Sequence, residues 1–208
     1  MGGVFMLEIL KTLLVCGLVI GVLWLAGVVR DRNTLDHQII RLHIVAASDS
    51  KEDQALKLQV RDAVNAYLSE DMADCNDVDE AYVLLSERLE EIRLVAQQVL
   101  DQAGAAYGVQ VSLKQEEFDT RYYDTFALPA GVYDSLRIVI GQGQGHNWWC
   151  VVFPRLCLST TTDDFVDTAV GSGFSDTLTD TIGNKKGYEV RFFILDCLGM
   201  IQNFFHRG

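Results

Sequence analysis

Basic residues, proline and closely spaced cysteines are all scarce in this chain of 208 residues. Lys and Arg number 17 against 29 Asp and Glu, a formal net charge of −12, and that deficit excludes a protein built to neutralise phosphates. Neither nucleic acid nor an anionic membrane surface is an expected partner. The five cysteines, Cys16, Cys75, Cys150, Cys157 and Cys197, contain no C-x-x-C pair, so no structural zinc site or other metal is expected. The run GQGQG, Gly141 to Gly145, lacks both G-x-G-x-x-G spacing and the Lys-Ser/Thr of a phosphate loop, and no cofactor is expected. With two prolines, no internal repeat and no low-complexity block, nothing divides the chain beyond its amino terminus.

What is present begins with eighteen uncharged residues, Thr12 to Val29. As a helix they span ~27 Å, close to a bilayer's hydrocarbon thickness. This length suits an uncleaved anchor better than the shorter core of a cleaved signal peptide, which is the alternative. Residues 1–30 therefore read as a signal or anchor segment that meets the membrane, and 31–208 as one extracytoplasmic domain. Gly17 and Gly21 have the small-xxx-small spacing that can mark a dimer face in an apolar helix.

Periodicity divides the domain. Between Ile39 and Ala46, Ile40, Leu42 and Ile44 alternate with Arg41 and His43, which predicts a strand with His43 on a solvated face. Ser50 with Asp53 caps a helix over Lys51–Ser69; Asp77 with Glu80 starts a second, ending before Gly104. The period then falls to two through Val109, Val111 and Leu113, through Tyr122–Leu128 and, after a Pro129-Ala130-Gly131 turn, through Leu136, Ile138 and Ile140. Ser159–Gly187 reads as loop or short hairpin, and Tyr188–Leu195 as a last strand. Leu198–Phe205 reads as a short amphipathic helix docking Ile201, Phe204 and Phe205 on the core. The order predicts an α+β fold: a mixed or antiparallel sheet covered by two helices on one face, preceded by a transmembrane or signal helix.

The densest chemistry lies in GQGQGHNWWCVVFPRLC, Gly141 to Cys157, with two of the three tryptophans and two of the five cysteines. Its glycines predict a flexible loop, and its tryptophans an aromatic anchor, so Gly143, Gly145, His146, Asn147, Trp148 and Trp149 are the candidate partner interface. Neighbouring side chains on a strand face opposite ways, which leaves one Trp exposed unless both are covered. Cys150 and Cys157 form either a disulfide or two buried thiols. A disulfide needs the chain to reverse near Pro154, because seven extended steps cover ~23 Å against the ~5.5 Å a disulfide spans. His146 and Cys150 also fit the base and nucleophile of an exported hydrolase acting on cell-wall peptide. The apolar Val151-Val152-Phe153 predicts an inert thiol instead, so no catalytic residue is assigned. Asp49, Glu52 and Asp53 read as helix capping rather than a metal cluster.

Two segments carry a family resemblance: IRLHIVAASDSKEDQALKLQVRDAV, from Ile40 to Val64, and LPAGVYDSLRIVIGQGQGHNWWCVVFPRLC, from Leu128 to Cys157. Together they resemble the stage II sporulation protein R family of endospore-forming bacteria, with Ala47 where Asn is usual and Arg155 where a second Pro is usual. The resemblance implies a signalling protein of the forespore membrane, or one secreted into the space between forespore and mother-cell membranes. Its implied partner is a membrane-embedded aspartic peptidase of the mother cell, which then cleaves the precursor of sigma factor E. On that reading the segment Gly141–Trp149 contacts the peptidase and shifts it towards an active arrangement.

Overall fold

The computed structural model describes residues 2–156, 162–183 and 190–206. Its first element, α1 (Gly2–His37), is a single helix of 36 residues. By length and composition it is able to cross a membrane. The helix runs straight through residue 30, because Val28, Asp31, Arg32 and Leu35 are buried in the domain that follows. The apolar helix and the domain are therefore continuous at their junction.

After β1 (Ile40–Val45), helix α2 (Lys51–Asp74) starts where the cap is expected, with the Asp53 N–H donating to Ser50 Oγ at 3.1 Å. The second expected helix is two. Asp77 caps α3 (Val78–Glu87), and α4 (Leu89–Gln102) follows after a break at Arg88, whose N–H reaches both Leu84 and Leu85 carbonyls. Beyond β2 (Val109–Phe118), the single strand expected over 122–128 is a small hairpin of β3 (Arg121–Tyr122) and β4 (Ala127–Leu128), closed by Tyr123 N–H to Phe126 O at 2.8 Å. Then come β5 (Gly131–Ile140), β6 (Asn147–Phe153), α5 (Thr162–Gly171), α6 (Asp176–Gly183) and α7 (Val190–His206).

The main sheet has the order β2-β5-β1-β6, with β1 parallel to β5 and the other pairs antiparallel. It is a mixed sheet in an α+β domain, as the sequence predicts. One face sets Ile40, Leu42, Ile44, Leu136 and Ile138 against Val60, Val64 and Leu68 of α2 and Ile92, Ala96 and Leu100 of α4. Each such Val, Leu or Ile side chain stabilises the fold by ~1.5–3 kcal/mol when fully removed from water.

The second face is covered too, which corrects the expected one-sided cover. Val28 and Leu35 of α1, Phe165 and Ala169 of α5, Leu178 and Ile182 of α6, and Leu195 of α7 form a second core against it. Residues 162–183 form two helices, α5 and α6, joined by a turn, rather than a loop or hairpin, because Phe165/Ala169 and Leu178/Ile182 recur every four residues. That stripe is narrow enough to disappear among Thr and Asp. Residues 159–161 and 184–187 of that segment lie outside the described residues.

The expected last strand is likewise corrected. Tyr188 and Glu189 lie outside the described residues, and Val190–Leu195 open α7, whose buried face is Phe192, Leu195, Asp196, Gly199 and Asn203. Ile201, Phe204 and Phe205 do not dock on the core: they are 53%, 75% and 74% exposed. Helices α1 and α7 lie side by side. Arg191 Nε donates to Asp31 at 2.8 Å, Arg32 Nη1 to Ala130 O at 2.6 Å and to Leu195 O at 3.4 Å, and Gln202 Nε2 to Asp36 at 2.7 Å. The partners advance together in sequence, so the two helices run in the same direction.

Candidate functional site

The turn between β5 and β6 is fastened rather than loose. Gly141 and Gly143 sit at φ +59° and +62°, where an L side chain is strained. Gly145 donates to Ala46 O at 3.0 Å, and a Cβ built on it would lie 2.2 Å from Ser48 O. Its glycine allows two backbones to touch. His146 completes the attachment: its N–H donates to Asp49 Oδ1 at 2.6 Å, its ring meets the same carboxylate, and its carbonyl accepts from Lys57 Nζ at 3.0 Å. The expected flexible loop is thus a rigid tip, tied to the β1–α2 connection. Gln142, Gln144, His146 and Asn147 stand exposed on it.

Trp148 and Trp149 do face opposite ways, but the two-sided cover leaves neither free. Trp148 packs against the helix-covered core with the Arg61 guanidinium 4.5 Å above its ring, while Trp149 packs into the second core. Trp149 stacks on His43 at 3.7 Å, meets Phe118 edge-on at 5.0 Å, and carries Arg121 5.0 Å from its ring. Both tryptophans are half-buried.

Beneath Trp149 lies a polar network around His43, the residue expected on a solvated face. His43 is buried, with Nδ1 3.0 Å from Glu116 Oε2 and Nε2 2.9 Å from Asn147 Oδ1. Arg137, opposite His43 in the β1–β5 register, donates to Glu116, and Lys114 Nζ lies 3.8 Å from it. Burial pushes the Glu116 carboxyl upward, but the hydrogen bonds from His43 and Arg137 outweigh this and hold it at about 2. Arg41 is fully buried, its guanidinium 4.0 Å from the Phe118 ring centre and its Nη2 donating to Tyr123 Oη at 2.7 Å. The network fixes Asn147 and Trp149 on β1, and through them the tip. One sequence signal was available: Arg41, His43, Lys114, Glu116 and Arg137 share one strand phase, opposite to the apolar one.

His146 and Cys150 are not brought together. Four extended residues separate them by ~13 Å. The His146 ring faces Asp49 on the surface, whereas Cys150 is buried and disulfide-bonded. Such a sulfur offers no thiolate nucleophile. Cys157 lies outside the described residues. Among the described residues no three His, Cys, Asp or Glu side chains form a group that could hold a metal ion.

These features define a single α+β domain carried on an apolar amino-terminal helix, with an ion-paired sheet face supporting an exposed tip. The chain belongs to the family described as stage II sporulation protein R (spore_II_R), whose profile matches residues 36–163. It is also 40% identical over 120 residues to the stage II sporulation protein R of Bacillus subtilis (strain 168), covering 58% of this chain and 54% of that relative. The match thus spans about half of the relative's length. No solved structure matches the chain. The matched region takes in β1, the β5–β6 tip and the whole polar network. The chain is a stage II sporulation protein.

Proposed function

We propose that this chain is an exported signal, held at the forespore membrane by α1 or released into the intermembrane space. It activates the membrane-embedded aspartic peptidase that processes the sigma factor E precursor. The observation that carries this reading is the rigid tip. Asn147 pairs with Val45 at the far end of β1 from α1, so the tip stands ~17 Å along the strand from the membrane helix. A preformed surface loses little entropy on binding and favours the partner state that it fits.

The contacting side chains in this reading are the exposed tip residues, with Gly143, Gly145, Trp148 and Trp149 as their support. Co-expression of the full chain with the peptidase and the sigma precursor in a non-sporulating host tests it. The double variant Gln144→Ala, His146→Ala is expected to slow precursor cleavage by about tenfold or more, a loss of ~1.4 kcal/mol or more of recognition. Its accumulation and export should match the wild type. Undiminished cleavage by that variant overturns the proposal.

The tip's other brace, in this proposal, is a Cys150–Cys157 disulfide closing the chain just after β6. Cys16, Cys75 and Cys197 are free thiols. Alkylation of the denatured, unreduced chain should therefore add three groups, rising to five after reduction, as read by intact mass. Five groups before reduction would remove the brace.

A further inference from the structure

We infer that the outer face of α7 is a docking surface for a second copy of this chain. Cys197, Met200, Ile201, Phe204 and Phe205 line one open apolar groove on that helix. Val190 and Phe193 precede Cys197, Met200 and Phe204 at spacings of three and four, the seam pattern of paired helices. No charged side chain stands in this seam, although the chain as a whole carries −12 and repels its own kind elsewhere.

Area and geometry select the occupant. Met200, Ile201, Phe204 and Phe205, each half to three-quarters exposed, together present about 500 Å². Two copies would bury ~1,000 Å², the lower bound for a specific interface, and confinement to one membrane raises the effective concentration. The bilayer itself is poorly placed to cover this face. Gln202 bonds to Asp36, seven residues past the uncharged run that ends at Val29, which puts the Phe204 end ~10 Å beyond the hydrocarbon. Because α7 runs parallel to α1, two copies inserted in the same sense bring their seams together in parallel, with Cys197 facing Cys197.

Cross-linking tests this. The full chain carrying Cys16→Ser and Cys75→Ser, reconstituted in phosphatidylcholine vesicles, is treated with copper phenanthroline, which oxidises two facing thiols to one disulfide. A covalent dimer is expected at about tenfold or more the yield of a control with Cys197→Ser and Val83→Cys, whose exposed thiol sits on α3 away from the seam. Phe204→Glu should return Cys197 to the control yield while leaving the unfolding midpoint unchanged. A face covered by lipid or by another protein leaves Cys197 at the control yield from the start, which overturns the inference. So does a dimer that survives Phe204→Glu.

Discussion

Replacing Gly199 with alanine is expected to destabilise the domain by at least ~3 kcal/mol, the reverse of the ~1 kcal/mol gain the same exchange gives in an open helix. A Cβ at Gly199 would lie 1.6 Å from Ala130 O and 2.7 Å from Arg32 Nη1. The first clash is with backbone, so no rotamer relieves it. Moving the Ala130–Gly131 turn instead pulls apart what it holds. Ala130 O accepts from buried Arg32 at 2.6 Å, and Ala130 N–H donates to buried Asp196 at 2.8 Å. Each charge left alone in the interior costs several kcal/mol. The structural consequence is release of α7 from β5 and from α1, which loosens the junction between the apolar amino-terminal helix and the domain. Urea unfolding of the full chain in micelles reads the loss. Gly171→Ala, at the end of α5 with nothing within 4 Å of its added Cβ, serves as the neutral control. A Gly199→Ala midpoint equal to the wild type's would contradict the packing described for this crossing.

Local signals were legible in the sequence, and long-range ones were not. The Ser50 and Asp77 caps are read correctly because donor and acceptor lie three residues apart. The apolar phase of β1 is read correctly because alternation is local. Its polar phase is misread for a physical reason: a charged side chain on a strand signals solvent only when no distant segment supplies a partner. Here Glu116 and Asn147 supply His43, and Tyr123 supplies Arg41, from 73, 104 and 82 residues away. The fold class survives this error, since the second layer of helices adds to the sheet without reordering it. In α7, Phe193-Ile194-Leu195 has strand propensity, and the helix is decided by tertiary contact, with Gly199 permitting close approach. Glycine in the tip misleads in the opposite sense. Gly145 reads as mobility, yet the missing side chain lets two backbones lock together.

The Glu116 network sets the second large expectation, an acid-dependent loss of stability centred on one carboxylate. In the unfolded chain this group titrates near its ordinary 4.5, and in the fold it is held at about 2. A carboxyl depressed by folding contributes stability that is fully present above the unfolded value. That contribution fades as pH falls from about 5 towards 2, because the unfolded chain then binds the proton first. The shift corresponds to ~3 kcal/mol. Glu116→Gln removes the negative charge and one of the two acceptor oxygens that His43 and Arg137 use, so at pH 7 it should cost ~3 kcal/mol. The gap between wild type and variant should then shrink through pH 4 and fall to about a quarter of its neutral value by pH 2.5. Urea midpoints of both chains at pH 7, 5, 4 and 2.5 measure it. A gap that stays constant across that range would mean Glu116 is not the paired anion beneath Trp149. Because the same carboxylate orients His43, and His43 meets Asn147 and Trp149, the variant should also loosen the tip. In the proposed role, slower precursor cleavage by this variant should therefore appear at neutral pH, even where the domain remains folded.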